Sequence, residues 1–223
     1  MPTTQANLPN FGTPAASLLP GFDNPVDDAQ QVFRATLEAF AHPGRLETLP
    51  ATSGVPEGLS PALAALLLTL ADPDTPVWLP AAVPAPARAF LRFHCGCPLV
   101  DQLDAASFVC VPAGHAMPAL ADCAQGQPAY PDRSATLIVE VASLTEGDTL
   151  TLHGPGIETT QALTVTGLPA DFPASWRANN AGFPLGVDLL LASGDQFCAL
   201  TRTTHLTHLT HLTHLTHLTH GEN

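Results

Sequence analysis

The sequence predicts an α/β domain in which helices cover a mixed β-sheet. Predicted helices and strands alternate through the first half of the 223 residues, whereas strands dominate the second half. Apolar residues make up 45% of the chain, which is enough for a sizeable core. No flexible linker interrupts residues 18–206, so we assign them to a single domain. Residues 1–17 are expected to be a disordered extension, and residues 207–223 a low-complexity tail.

The first predicted helix begins at Asn24, a suitable N-cap residue, followed by Pro25 at the first helical position. Its apolar residues recur at steps of three and four and form one stripe: Val26, Ala29, Phe33, Leu37 and Phe40. The segment His42-Pro43-Gly44 ends this helix, because proline cannot continue its hydrogen bonding and glycine suits the exit.

Two further helices and six short strands are predicted. Ser60 and Pro61 open a helix that is apolar on nearly every side and therefore belongs inside the fold, and a third helix covers 85–93. The predicted strands are 77–79, 108–111, 137–141, 150–152, 187–191 and 197–200. We expect two hairpins. One joins 137–141 to 150–152 through a turn at Gly147, and the other joins the last two strands through a turn at 193–196.

The charge balance excludes several classes of function. The chain carries 20 acidic and 7 basic residues, for a net charge of −13, and every basic residue is arginine. Without lysine the chain alone cannot build a Walker-type phosphate loop, the Schiff base of a pyridoxal-phosphate (PLP) enzyme, or a protein-kinase site. An acidic chain with scattered arginines also argues against a nucleic-acid partner.

The sequence favours a cytoplasmic protein that does not enter a membrane. The first basic residue is Arg34, so the charged start of a signal peptide is missing. The longest apolar run, 62–71, is half of the ~20 residues that span a bilayer. The five cysteines are an odd number and are expected to be free thiols in a reducing compartment.

Two segments raise the question of metal binding. His94-Cys95-Gly96-Cys97 offers three ligand types within four residues, but structural zinc needs four ligands, usually in two spaced pairs. The alternative is a helix end that runs into a turn with small buried thiols. From Thr204 the triplet Thr-His-Leu repeats, either as a metal-binding tract or as a duplicated three-codon unit that follows the last packed strand. We favour the second interpretation in both cases and predict no metal site.

The acidic candidates are Asp72 and Asp74, in an Asp-Pro-Asp segment between a buried helix and a strand. Two carboxylates here could contact magnesium bound to a nucleotide, because Mg²⁺ takes one or two carboxylates together with phosphate oxygens. The alternative, which we favour, is turn chemistry at a helix exit, where aspartate and proline are also common.

The basic candidates are Arg202, Arg34 and Arg92. Arg202 and the neighbouring Thr203 offer a guanidinium and a hydroxyl, and both groups can donate hydrogen bonds to a phosphonate or phosphate oxygen. Arg34 and Arg92 lie on predicted helices, where each either contacts an anion or faces solvent. No catalytic residue can be assigned from the sequence.

Several segments in order resemble one known family. The first are residues 25–34 with Pro43-Gly44, the run 67–79 (Leu-Leu-Thr-Leu-Ala-Asp-Pro-Asp-Thr-Pro-Val-Trp-Leu), and 91–94 with 98–100. They continue with 135–144, Gly154-Pro155-Gly156-Ile157, 183–191 and Arg202-Thr203-Thr204-His205. Together they resemble PhnH, a subunit family of the bacterial carbon–phosphorus lyase system.

The resemblance implies a role in phosphonate breakdown, in an assembly with the PhnG, PhnI and PhnJ subunits. With PhnL, the G, H and I subunits are required to transfer the ribose triphosphate of ATP to methylphosphonate with release of adenine. It also implies a homodimer and a three-layer α-β-α fold similar to that of type I PLP-dependent aminotransferases, without PLP. Mg-ATP is then a substrate of the complex, and this chain binds no cofactor.

Two roles for the chain remain open under this resemblance. It either contributes contacts to a shared transferase site or is a non-catalytic scaffold, a decayed PLP-transferase fold retained for its interfaces. Catalysis by the chain alone is not expected. The sequence departs from the family pattern at Thr201, where proline is typical, and in the triplet tail.

Overall fold

The structure, a computed structural model, describes residues 19–51 and 53–210. Within these residues the helices are α1 (Pro25–Ala41), α2 (Pro61–Leu70), α3 (Ala85–His94) and α4 (Phe172–Ala181). The strands are β1 (Glu47–Thr48), β2 (Val77–Trp78), β3 (Leu99–Val100), β4 (Phe108–Val111), β5 (Gln125–Gln127), β6 (Tyr130–Ser134), β7 (Thr136–Glu140), β8 (Ser143–His153), β9 (Gln161–Thr166), β10 (Asp188–Ser193), β11 (Gln196–Leu200) and β12 (His205–Thr210). The extension expected over 1–17 and most of the expected tail lie outside the described residues.

A mixed central sheet has the strand order β1-β11-β10-β7-β4-β2-β3. Its strands are parallel from β3 to β10, and β11 and β1 add antiparallel at one edge. Ile138 stands opposite both Cys110 and Leu190, so the middle of the sheet is apolar on three neighbouring strands. Parallel strands that are covered on both faces have continuous apolar sequences. For this reason these segments could be predicted as strands from the sequence.

Helices α1, α2 and α3 cover one face of this sheet. Residues 62–67 of α2 are all fully buried, because the helix packs against the sheet and against both other helices. Ser60 caps its first turn, since the Ser60 hydroxyl accepts a hydrogen bond from the Leu63 backbone N–H at 3.3 Å. The prediction that this helix lies inside the fold is confirmed.

Helix α1 begins and ends as predicted, with Asn24 as N-cap and His42 as C-cap. Its buried side is not the predicted apolar stripe, however. Val32, Thr36 and Ala39 face the core, whereas three members of the stripe are largely exposed: Val26 (77%), Phe33 (45%) and Leu37 (52%). Thr36 can be buried because its hydroxyl donates to the Val32 carbonyl at 2.8 Å. The stripe is therefore divided: Val26, Phe33 and Leu37 lie at the surface, whereas Ala29 and Phe40 are partly buried against the core.

The other face of the central sheet is covered by a small antiparallel sheet, β12-β8-β9, together with α4. Trp176 of α4 is fully buried, and its indole N–H donates to the Thr204 carbonyl at 2.7 Å. The family resemblance implies that this second covering layer is helical. In the structure it consists partly of sheet and partly of helix. The coarse prediction of an α/β fold with a mixed sheet is confirmed.

One predicted hairpin is wrong and the other is confirmed. β7 lies between β4 and β10 in the central sheet, whereas β8 pairs with β9 and β12 in the small sheet. Residues 143–148 continue β8, and Gly147 lies where the pairing of β8 with β9 is irregular, rather than in a turn. The hairpin of β10 with β11 is present, with Ser193 opposite Gln196.

The first triplets of the repeat belong to strand β12, which extends to Thr210. Leu206 and Leu209 stand opposite Leu152 and Leu150 of β8, respectively. Residues three apart would point to opposite faces of a regular strand. A register shift between Leu206 and His208 places both opposite leucines that share one face.

No helix in the described part of the chain is long and apolar enough to span a bilayer.

Candidate functional site

The segments that carry the family resemblance meet at two places. The first, which we call the helix-end cluster, consists of the turns that follow α2 and α3, residues 71–76 and 94–98. The second, the loop junction, consists of residues 42–44, 153–157 and 202–205. Each predicted site residue except Arg34, which lies on the exposed side of α1, belongs to or borders one of them.

The Asp72 carboxylate organises its own turn. Its Oδ1 accepts hydrogen bonds from the Asp74 backbone N–H and from the Thr75 hydroxyl, both at 2.9 Å. The Thr75 hydroxyl also accepts from the Asp72 backbone N–H at 2.7 Å. This is the helix-exit chemistry that the sequence offered as an alternative to magnesium binding. Asp74 is exposed.

Arg92 lies on the last turn of α3, beside the Cys-Gly-Cys turn that ends this helix. The pKa of Cys97 is below its ordinary value, chiefly because its sulfur accepts a hydrogen bond from the Cys95 thiol. The Arg92 guanidinium lowers this pKa further, whereas burial and the Asp72 carboxylate raise it. Arg92 and Asp72 are thus brought to the same neighbourhood, which their separation of twenty residues does not predict.

Close backbone packing defines the loop junction. At Gly156, where φ is +83°, an added Cβ would lie 2.2 Å from the Ala41 carbonyl oxygen. At Gly154 it would lie 2.8 Å from the Thr203 carbonyl oxygen. The glycine-rich turn therefore lets the end of α1 and the segment after β11 approach β8 directly. The contacts of this turn are therefore those of packing.

Arg202 is fully engaged within the chain. Its guanidinium forms an ion pair with Asp188 and donates to the Ser134 hydroxyl and to the Pro131 and Pro184 carbonyls. These contacts use all five N–H donors of the side chain. A phosphonate oxygen could reach this guanidinium only by displacing one of its partners.

Thr203 and the histidines of the loop junction are also in contact with neighbours. The Thr203 hydroxyl lies 2.9 Å from that of Thr201, which lies 2.9 Å from that of Thr204. His153 and His205 stand opposite each other on β8 and β12, with ring centroids 5.1 Å apart. In the described part of the chain, no group of three or more metal-ligating side chains is placed to hold an ion.

The carboxyl edge of the parallel strands holds a group that the sequence analysis missed. Ligands of open α/β sheets bind where the strand order reverses, which here lies between β2 and β4. Glu140 ends the adjacent β7, and burial raises the pKa of its carboxyl, against hydrogen bonds from the Ala113 backbone N–H (3.4 Å) and the Ser60 hydroxyl. The available signal was a single carboxylate that closes a buried apolar strand.

One cleft lies away from all of these residues. It measures about 490 Å³ and lies between the β8–β9 pair and the start of α4. Its lining is mainly apolar and includes Leu150, Val165 and Phe172. A second cleft, of about 310 Å³, borders the loop junction and is lined by His42, Arg45 and Glu158 among others.

The basic side chains of the chain do not converge. Arg45 pairs with Glu47 at 2.7 Å and with Glu38 at 3.2 Å. Arg88 donates to the Leu79 and Pro80 carbonyls, and Arg133 lies 4.2 Å from the centre of the Tyr130 ring. Three further arginines are exposed, and their side chains make no hydrogen bond within the part of the chain that the structure describes: Arg34, Arg92 and Arg177. The described surface therefore offers separate cations rather than a cluster.

Comparison with known proteins assigns the family. Residues 20–207 match the family model described as bacterial phosphonate metabolism protein, PhnH. The chain is 41% identical to a protein of Rhizobium meliloti (strain 1021) named alpha-D-ribose 1-methylphosphonate 5-triphosphate synthase subunit PhnH. That match covers 82% of this chain and 92% of the relative.

A second relative, of Stutzerimonas stutzeri, carries the name of a C-P lyase subunit protein, HtxG. It is 34% identical over 79% of this chain and 84% of its own length. The family model extends across the central sheet and both covering layers, so it concerns nearly the whole described fold. The chain belongs to the PhnH family of bacterial phosphonate metabolism proteins.

Proposed function

We propose that this chain is a subunit of a carbon–phosphorus lyase assembly and takes part in making alpha-D-ribose 1-methylphosphonate 5-triphosphate from ATP and methylphosphonate. The observation that supports this most strongly is the 41% identity to the Rhizobium meliloti subunit over nearly all of its length. We further propose PhnG, PhnI and PhnJ as its partners, PhnL as a participant in the transfer, a homodimeric state for the free chain and the cytoplasm as its location.

The chemistry limits what this chain can supply. When a phosphonate oxygen displaces adenine from the ribose, the transition state resembles an oxocarbenium ion and the triphosphate needs several cations. Arg34 and Arg92 are exposed but lie on different helices, and Arg202 is committed to Asp188. Most of the triphosphate site therefore belongs to a partner, and this chain adds a contact at the helix-end cluster. Mg-ATP is the substrate of the complex and is bound at this shared site.

We relate the fold to the type I PLP-dependent aminotransferases, as one that has lost its cofactor. The absence of lysine fits the loss of the cofactor, because no side chain could form the Schiff base that holds PLP. The parallel part of the sheet, β3-β2-β4-β7-β10, provides a reversal of strand order beside which cofactors and substrates of α/β proteins bind.

The first experiment tests the pathway and the role of Arg92 together. A strain that lacks the gene is complemented with Arg92→Ala, and growth is measured with methylphosphonate as the sole phosphorus source. The matched control is Arg177→Ala, because Arg177 is also an exposed arginine on a helix. We expect at least a tenfold loss of adenine release from the purified assembly for Arg92→Ala only, while the subunits still co-purify. Normal growth of the uncomplemented strain would refute the proposed function.

The second candidate is the non-catalytic scaffold, and the exposed stripe of α1 favours it. Val26, Phe33 and Leu37 lie on one side of the helix and remain largely exposed. Exposed apolar patches of this kind are typical of surfaces that contact other proteins. If Arg34→Ala and Arg92→Ala both leave adenine release unchanged, the chain is a scaffold. Loss of activity with retained co-purification favours a direct contact with substrate.

A further inference from the structure

The Cys-Gly-Cys turn after α3 is a feature that the proposed function does not use. Cys95 is in the right-handed region (φ −98°, ψ −23°), and Gly96 is in the left-handed region (φ +66°). This reversal curls the chain, so that the side chains on either side of Gly96 approach each other closely enough for one thiol to hydrogen-bond the other. Both cysteines are buried, at 8% and 3% exposure, but Gly96 between them is exposed, so the pair lies just beneath the surface.

The two thiols are chemically unequal. Cys97 accepts the hydrogen bond from Cys95 and lies near the Arg92 guanidinium, so its thiolate is the favoured one. Cys95 donates that bond. The pKa of Cys95 is raised by this bond, by burial and by the negative charge of the Cys97 thiolate. An attacking sulfur with a resolving thiol beside it is the arrangement found in reversible thiol oxidation.

The other cysteines lack these features. Cys110, Cys123 and Cys198 are isolated and buried in the core, and burial raises the pKa of each thiol, to about 11 for Cys123 and to about 12 for Cys198. Their thiolate populations near neutral pH are therefore very small, so they serve as internal references for selectivity.

We propose that Cys95 and Cys97 form a reversible intramolecular disulfide when a hydroperoxide oxidises the pair. The Cys97 thiolate attacks the peroxide: an S–O bond forms, the O–O bond breaks, and hydroxide leaves as water, which gives a sulfenic acid at Cys97. The Cys95 sulfur then attacks Cys97: the S–S bond forms, the S–O bond breaks, and the departing oxygen takes the Cys95 proton and leaves as water. Two thiols and one hydrogen peroxide give one disulfide and two waters. A small dithiol reverses the change.

The disulfide would alter the helix-end cluster. In the reduced protein the Cys95 thiol contacts the Leu67 carbonyl at 3.5 Å, and the Cys97 thiol contacts the Leu91 carbonyl at 4.0 Å. These carbonyls belong to the last turns of α2 and α3, so drawing the two sulfurs together into one bond changes both contacts. The pair therefore links the oxidation state of the chain to the surroundings of Arg92 and Asp72, which both act on Cys97. This inference does not depend on the proposed function.

The test uses the reduced full-length protein with hydrogen peroxide as the probe. Intact-mass measurement should show a loss of about 2 Da, for the two hydrogens of one disulfide, that dithiothreitol reverses. Peptide mapping should place the bond between Cys95 and Cys97. Cys97→Ala should abolish the reaction, and Cys95→Ala should stop it at a sulfenic acid that dimedone traps on Cys97. The matched control Cys123→Ala should react like the parent, and circular dichroism confirms that each variant is folded.

A second measurement distinguishes the structured pair from nonspecific oxidation. Arg92→Gln should slow the first step several-fold, because the thiolate loses its nearby cation. Peroxide reaction in the unfolded chain should spread over all five cysteines. Three results would each overturn the proposal: oxidation of the folded protein that is distributed over all five cysteines, a disulfide that forms only between two chains, or no loss of mass.

Discussion

Replacing Arg202 by alanine tests whether this residue is structural, as its contacts indicate. The substitution removes the guanidinium that pairs with Asp188 and donates to the Ser134 hydroxyl and two carbonyls. Asp188 keeps one hydrogen bond, because the Arg202 backbone N–H donates to its Oδ1 at 2.7 Å and survives the change. The remaining acceptors lose their donor.

The expected cost follows from the burial of the pair. Removing one partner of a buried ion pair costs about 3–5 kcal/mol. Here the Arg202 and Asp188 side chains are 14% and 21% exposed, so water replaces part of the lost interaction. We therefore expect a loss of about 2–3 kcal/mol in the free energy of unfolding. For a domain of this size that corresponds to a fall of about 5–10 °C in Tm.

Urea unfolding, followed by circular dichroism, measures this loss. Arg202→Lys should recover only part of the stability, because an ammonium group cannot serve acceptors in several directions. Arg177→Ala, at an exposed arginine on α4, is the matched control and should lie within about 0.5 kcal/mol of the parent. A similarly small effect of Arg202→Ala would refute the structural role and return Arg202 to the candidates for anion binding.

Three further predictions concern the loop junction, the sheet edge and the tail. Gly156→Ala should cost about 3 kcal/mol in urea unfolding, because its Cβ would meet a backbone carbonyl of α1, whereas Gly114→Ala, in open space at φ +80°, should cost about 1 kcal/mol. Burial raises the pKa of Glu140 above the ordinary value of 4.5, so the folded protein favours the protonated carboxyl. The contribution of this group to stability is therefore lost as the pH rises from about 4.5 through the raised pKa. The stability difference between Glu140→Gln and the parent, measured by thermal unfolding from about pH 4 to about pH 7, should therefore shift in the variant's favour. Deletion of 211–223 should leave growth on methylphosphonate unchanged, whereas deletion of 205–223 removes β12 and should lower the Tm.

The sequence predicted elements whose signals are local. Ser60 and Pro61 mark the start of α2 by satisfying the free N–H groups of a first turn, and this requires no knowledge of the rest of the fold. The β10–β11 hairpin was predicted because its connection is only two residues long, Gly194 and Asp195. Helix α4 was missed because its buried polar residues, Asn179 and Asn180, weaken its apolar pattern.

The helix is nevertheless held in place, because both asparagines hydrogen-bond the backbone of distant segments. Asn179 bonds the N–H and carbonyl of Val187, and Asn180 bonds the carbonyls of Arg202 and Thr204. Such partners are found only in tertiary structure. The same reason explains the wrong hairpin, since β7 and β8 are adjacent in sequence but belong to different sheets: β7 pairs with β4 and β10, whereas β8 pairs with β9 and β12.

The sequence by itself determined the family, the absence of any lysine chemistry and the positions of the main buried elements, because these depend on residue identity and short-range periodicity. Only the tertiary structure decided which charges are available. It committed Arg202 to Asp188 and brought Arg92 and Asp72 near the same thiol, that of Cys97. It also left Val26, Phe33 and Leu37 of the apolar stripe of α1 at the surface, because the burial of a helix face depends on what packs against it and not on its own pattern.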